Sequence, residues 1–162
     1  MTSLEELHIH QTELENLPDE IFELPKLRLL CVHGNKLKYI NPKISKLKNL
    51  RAINLMHNAF HEFPKELLEL VNLETLNLDD NYLNSLPTEI TQLNKLKRLH
   101  FTRNKFKIPK EILNSRPKEL IQYILDYQNA KNRRALLEAK LIFIGSGGVG
   151  KSSLIKRLTP NK

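Results

Sequence analysis

The chain repeats itself every 23 residues. Leu4, Leu27, Leu50, Leu73 and Leu96 open five successive units, and two more apolar columns keep step with them. The first is Leu7, Leu30, Ile53, Leu76 and Leu99; the second is Ile9, Val32, Leu55, Leu78 and Phe101. A period held this long implies a solenoid, in which a unit too small to bury its own apolar face does so against its neighbours. Further along each unit come Leu14, Leu37, Phe60, Leu83 and Phe106, then Leu17, Ile40, Phe63, Leu86 and Ile108, the last unit being one residue short there. A proline follows at Pro18, Pro64, Pro87 and Pro109, whereas in the second unit Asn41 holds that place and Pro42 comes one position later.

Within a unit, the alternation in Leu76-Asn77-Leu78 puts two leucines on one side and the middle residue on the other, which predicts a short strand. The chain must then turn sharply. At that turn stands the column Thr12, Asn35, Asn58, Asn81 and Asn104, whose side chains can bond the turn's own backbone and the neighbouring unit's. The return leg, as in Pro87-Thr88-Glu89-Ile90-Thr91-Gln92-Leu93, has apolar residues three apart and predicts a single helical or 3₁₀ turn begun by proline.

The same register separates core from surface. Outward columns are expected at His8, Cys31, Asn54, Asn77 and His100, and at His10, His33, Met56, Asp79 and Thr102. Beside them run Gln11, Gly34, His57, Asp80 and Arg103, and on the other flank Glu5, Arg28, Arg51, Glu74 and Lys97, which sets Glu74 between two bases. His8, His10, His33 and His57 with Cys31 raise the question of zinc. Structural zinc needs four convergent ligands, whereas side chains on an open sheet run parallel, so solvated surface histidines are expected instead, with a pH-sensitive contact surface as the weaker alternative.

This repeat resembles the leucine-rich-repeat family, in its short 23-residue form with a Leu-Pro step, over residues 4 to about 113. The resemblance implies an α/β fold: a right-handed solenoid with parallel strands lining a concave face, used mostly to bind other proteins. On it, the candidate partner-binding residues are His8, His10, Arg28, His33, Arg51, His57, Glu74, Asn77, Asp79, His100 and Arg103.

After Pro117 a helical pattern takes over, with Leu120, Ile121, Ile124, Leu125 and Tyr127 on one face. A solenoid must cover its last unit, so residues 114–139 are expected to be a helical cap and linker, with the polar, basic stretch 129–134 as a hinge. Residues 140–162 change character. Leu141-Ile142-Phe143-Ile144 reads as a buried strand, and Gly145-Ser146-Gly147-Gly148-Val149-Gly150-Lys151-Ser152-Ser153 follows at once, matching the phosphate loop G-x-x-x-x-G-K-S/T. There glycine N–H groups cradle phosphate, Lys151 neutralises it, and Ser152 ligates Mg²⁺.

The loop with Ser153-Leu154 after it is similar to Ras-like GTPases, and the order repeats, helical linker, Ala139-Lys140-Leu141-Ile142-Phe143-Ile144-Gly145 is similar to the Roco family with its Ras-of-complex GTPase domain. That resemblance implies a parent protein that binds GTP and Mg²⁺, dimerises through a further domain and sometimes carries a kinase. Its D-x-x-G switch and N/T-K-x-D guanine-reading motifs have no counterpart by Lys162, so this stretch is expected to be non-catalytic, because hydrolysis needs elements it lacks. The alternative is a freestanding repeat adaptor with a vestigial phosphate-loop tail. The solenoid's expected partner is another protein or the GTPase module itself.

Charge separates the classes further. Residues 1–26 carry seven acids and one lysine, a net −6, against 25 bases and 11 acids, +14, in the rest. The bases are scattered over every unit, which predicts a solvated surface rather than a nucleic-acid groove. With one cysteine, no secretory leader pattern and no apolar run of spanning length, the expected setting is cytoplasmic.

Overall fold

In a computed structural model, the described residues are 3–106, 108–113 and 115–145; side chains are described through Arg134, apart from Lys110 and Glu111. The chain forms two compact units, residues 1–125 and 126–162.

The first unit is a stack of five turns. Five strands, β1 (Glu6–His8), β2 (Leu29–Cys31), β3 (Ala52–Asn54), β4 (Thr75–Asn77) and β5 (Arg98–His100), form one parallel sheet in sequence order. Register follows the period: Leu7 faces Leu30, Leu30 faces Ile53, Ile53 faces Leu76, and Leu76 faces Leu99. Ladder bonds run past the assigned ends, as Leu55 N–H donates to the Asn77 carbonyl and Leu78 N–H to that of His100, both at 2.9 Å. The strands therefore reach the second apolar column.

The return legs are 3₁₀ turns at Asp19–Glu23, Pro42–Lys46, Lys65–Glu69 and Thr88–Gln92. Pro18, Pro64 and Pro87 sit just before three of them, where a residue without an N–H forfeits nothing. The second unit shows why its proline is displaced. Asn41 takes the capping place and its side chain accepts from Lys43 N–H at 2.9 Å, so Pro42 moves inside to the first helical position. Shortened by one residue, the fifth unit continues from Pro109 into a four-residue helix, α1 (Lys110–Leu113).

Between strands and return legs lies one continuous core. Leu30, Leu50, Leu55, Phe60, Leu67, Leu73 and Leu76 have no exposed surface. Burying each such side chain contributes about 1.5–3 kcal/mol. Polar backbone at the turns is satisfied by the asparagine column. Asn58 Oδ1 accepts from Leu37 N–H (3.0 Å), and its amide donates to the carbonyls of Leu55 in its own unit and Val32 in the unit before, both at 3.1 Å. Asn35, Asn81 and Asn104 repeat this pattern. Thr12 instead donates its hydroxyl and its N–H to Asn35 Oδ1. No buried side-chain nitrogen or oxygen among the described residues lacks a partner.

The helix α2 (Pro117–Gly145) starts with Pro117 in its first turn and with Glu119 accepting from Arg116 N–H at 3.3 Å. Leu120, Ile121, Ile124 and Leu125 are buried in the repeat core, so the helix covers the last unit as a cap. Tyr123 joins them in part, while Tyr127, expected on the same face, is 42% exposed.

Two expectations about residues 126–145 are corrected. The stretch 129–134 is helix rather than hinge, and Leu141-Ile142-Phe143-Ile144 is helix rather than strand. From Lys118 to Ile144 there is no glycine or proline, so helix propagation has no local stop. An apolar run of four is compatible with either state, and neighbouring strands would be needed to tip it toward sheet. The strands of the described sheet all lie between Glu6 and His100.

Candidate functional site

The sheet has one face on the core; the other carries the outward columns. Alternation along each strand puts His8, Asn54, Asn77 and His100 on it, half-buried or exposed. Cys31, in the same column, is buried with 8% of its surface accessible, so it belongs to the sheet's packing rather than to its contact surface. Asn54 and Asn77 each turn their Oδ1 to the N–H two residues on, Met56 at 3.0 Å and Asp79 at 2.9 Å, and so hold the ends of β3 and β4. Asp79 in turn accepts from Thr102 N–H.

The next column follows a different backbone rule. Gln11, Gly34, His57, Asp80 and Arg103 all have positive φ, between 52° and 68°, in the left-handed region. This is the sharp turn that carries the chain from strand to asparagine column. Only Gly34 occupies it without the penalty of about 1–2 kcal/mol that a side chain brings there. His57 and Arg103 are thus placed by a turn, not by a strand, and Arg103 pairs with Asp80 at 2.6 Å.

Charges at the flank pair across units. Arg28 meets Glu5 at 3.4 Å, while Glu74 receives Arg51 at 2.9 Å and Lys97 at 2.6 Å. The Lys97 ammonium hydrogen-bonded to it holds the Glu74 carboxyl below its usual range, and Arg51 adds to the effect.

The histidines gather at the N-terminal end of the face. The rings of His10 and His33 stack with centroids 4.8 Å apart and planes 3° from parallel, and His8 lies 3.8 Å from Glu6. Burial holds the His33 imidazole below its ordinary value, and the nearby imidazoles of His10, His57 and His8 push the same way. Among the described residues no group of three or more His, Cys, Asp or Glu converges on a common metal position.

One column was missed by the sequence reading. Glu6, Leu29, Ala52, Thr75 and Arg98 stand two residues before the central column and share its face, and Leu29, Ala52 and Thr75 are half-buried there. Strict alternation from His8 backwards would have found them; the ion pairs of the adjacent Glu5 column obscured the parity. Of the phosphate-loop residues, Gly145 is the last residue of α2, and Ser146 to Ser153 lie outside the described residues.

An apolar cleft of about 240 Å³ lies between the last return leg and α2, lined by Ile90, Leu93, Leu96, Pro117 and Ile121. Among the described residues no helix is long and apolar enough to cross a membrane.

Two family models match the chain: "Leucine-rich repeat region" over residues 36–130, more than half of it, and "Leucine rich repeat" over residues 2–60. Among solved structures, a leucine-rich-repeat protein of Leptospira interrogans is similar at 40% identity and a TM-score of 0.62, over 68% of this chain and 29% of that one. This chain therefore spans under a third of that protein's length. No curated protein sequence matches. Period, sheet register, asparagine column and the matching models agree, and the chain belongs to the leucine-rich-repeat family.

Proposed function

We propose that the sheet face is a protein-docking platform and that the chain is the recognition part of a larger signalling protein. The observation that carries this is the face itself. Five in-register strands present columns of amide, imidazole and ionic side chains, with Leu29 and Ala52 among them, while most of their apolar residues are consumed by the core. Four intervals of about 4.8 Å give a sheet roughly 20 Å wide, room for an extended segment of about six residues laid across it. Such a surface selects by side-chain complementarity. The test is capture of partners from the native source by the wild-type chain, by Asn77→Arg on the sheet face and by Lys46→Glu on a return leg. The same partner should be lost with Asn77→Arg and kept with Lys46→Glu; the reverse pattern would refute the platform.

A second reading, that the parent is a GTP- and Mg²⁺-binding protein of the Roco type, rests on residues 145–153 and on the order of segments. The donor set fits a nucleotide: glycine N–H groups for phosphate, Lys151 for its charge, the Ser152 hydroxyl for Mg²⁺. Helical backbone at residues 141–145 weighs against a folded nucleotide site in this stretch by itself. Calorimetry with GTP and Mg²⁺ should show no binding to the 162-residue chain and binding to a longer product whose reading frame adds D-x-x-G and N/T-K-x-D. A stop directly after Lys162 would favour the adaptor with a vestigial loop.

A further inference from the structure

The sheet face is electrically balanced in a way the whole chain is not. Its five columns contain five bases, Arg28, Arg51, Lys97, Arg98 and Arg103. They also contain five acids, Glu5, Glu6, Glu74, Asp79 and Asp80. With histidine neutral the face sums to zero, although the chain carries +8. The same columns hold five of the chain's six histidines, His8, His10, His33, His57 and His100. Imidazole is the side chain that gains charge under mildly acid conditions, and five protonated imidazoles would take the face from 0 to +5.

The histidines are also unevenly spread. His8 and His10 from the first unit, His33 from the second and His57 from the third form one group at the N-terminal end. Beside them are Glu6, 3.8 Å from His8, and the buried Cys31, while the Arg28–Glu5 pair stands on the flank. On the side of His57, Glu13, Lys36 and Asp80 line one groove of about 360 Å³, with Lys36 held to Glu13 at 3.3 Å. Nearly every nearby fixed charge thus already has its counterion. Towards the C-terminal end Glu74 holds Arg51 and Lys97, and Asp80 holds Arg103.

We propose that the platform is a proton-gated docking surface for an acidic segment of a partner protein, with His8, His10, His33 and His57 as the gate. The inference rests on the docking reading above. Two parallel rings 4.8 Å apart carry protons only against mutual repulsion, and a carboxylate laid over them offsets that repulsion. Burial, and after it the neighbouring imidazoles, hold the His33 imidazole below its ordinary value, and with the histidines neutral the face offers an acidic segment no net attraction. Each proton taken up with the ligand raises affinity about tenfold per pH unit through the titrating range. A protein segment fits better than a nucleic acid, because Arg51, Lys97 and Arg103 are already held by Glu74 and Asp80 rather than free to follow a phosphate backbone, whereas a peptide can set neutral side chains over these pairs.

The probe is fluorescein-labelled hexaglutamate, titrated with the full chain at pH 7.5 and 5.5, where its carboxylates stay ionised at an ordinary value of about 4.3. Binding should be at least tenfold tighter at pH 5.5, and the variant His10→Gln/His33→Gln should lose most of that gain while keeping the wild-type thermal midpoint at pH 7.5. Equal affinity at both pH values, or an undiminished gain in the variant, would overturn the gate. Amide shifts in the same titration separate the two readings. Shifts on the strands without pH dependence leave the platform standing and remove the gate, whereas shifts confined to the return legs remove the platform as well. Tighter pH-dependent binding of hexauridylate than of hexaglutamate would overturn the choice of partner.

Discussion

Residues 4–113 and residues 126–145 are both built largely from leucine, isoleucine, lysine, glutamate and asparagine, yet the first region is specified many times over and the second hardly at all. In the repeats, a residue's environment is set by its counterparts 23 positions before and after it. Errors of register are therefore excluded in every unit: moving one strand by a single residue would place a polar side chain such as Asn54 in the core and Ile53 outside it. Beyond Leu125 no counterpart exists, and the backbone follows local preference, which for a stretch without glycine or proline is helix. Periodicity thus supplies tertiary information that composition cannot.

This contrast can be broken at chosen points. The largest effect is expected from Phe60→Ala, which empties the space of a side chain with no exposed surface and should cost about 3–5 kcal/mol in urea unfolding of the repeat unit. Asn58→Ala comes next. It leaves the Leu37 N–H and the carbonyls of Val32 and Leu55 without their partner, an expected loss of about 2–4 kcal/mol by the same measurement. Gly34→Ala should cost about 1–2 kcal/mol, because its φ of 68° penalises any side chain and the new methyl would stand 3.0 Å from Gln11 Cγ. Ala130→Pro probes the other region. Far-UV circular dichroism should lose helical signal while the repeat unit's stability moves by less than about 0.5 kcal/mol, since no side chain from Asp126 to Arg134 is buried.

The smallest expected effects are those of pH, and they have a definite sign. Glu74 and His33 both have folded values lowered from their ordinary 4.5 and 6.5. In each case the unfolded chain takes up a proton more readily, so the contribution is present above the ordinary value and is lost as pH falls through the lower folded one. Thermal midpoints should therefore decline first below pH 6.5 and again below pH 4.5. His33→Gln should remove only the first step, and Glu74→Gln should reduce only the second, to which Glu89, lowered chiefly by backbone hydrogen bonding and then by Thr88, also contributes.

Strand register, the asparagine column, the proline-led return legs and the capping role of Leu120, Ile121, Ile124 and Leu125 all follow from the sequence by itself. The first three are consequences of the period; the cap follows from helical spacing after Pro117 and from the last unit's need of a cover. Most of the outward face follows too, including Glu74 between Arg51 and Lys97. What only the tertiary structure decided is finer. It buried Cys31, put His57 and Arg103 on left-handed turns, exposed Tyr127, stacked His10 on His33, and made residues 141–144 helical. The physical reason is common to these cases. A repeat states which residues are neighbours, but how far a side chain is covered, which way a turn carries it and whether an apolar run finds a sheet depend on atoms that the period does not name.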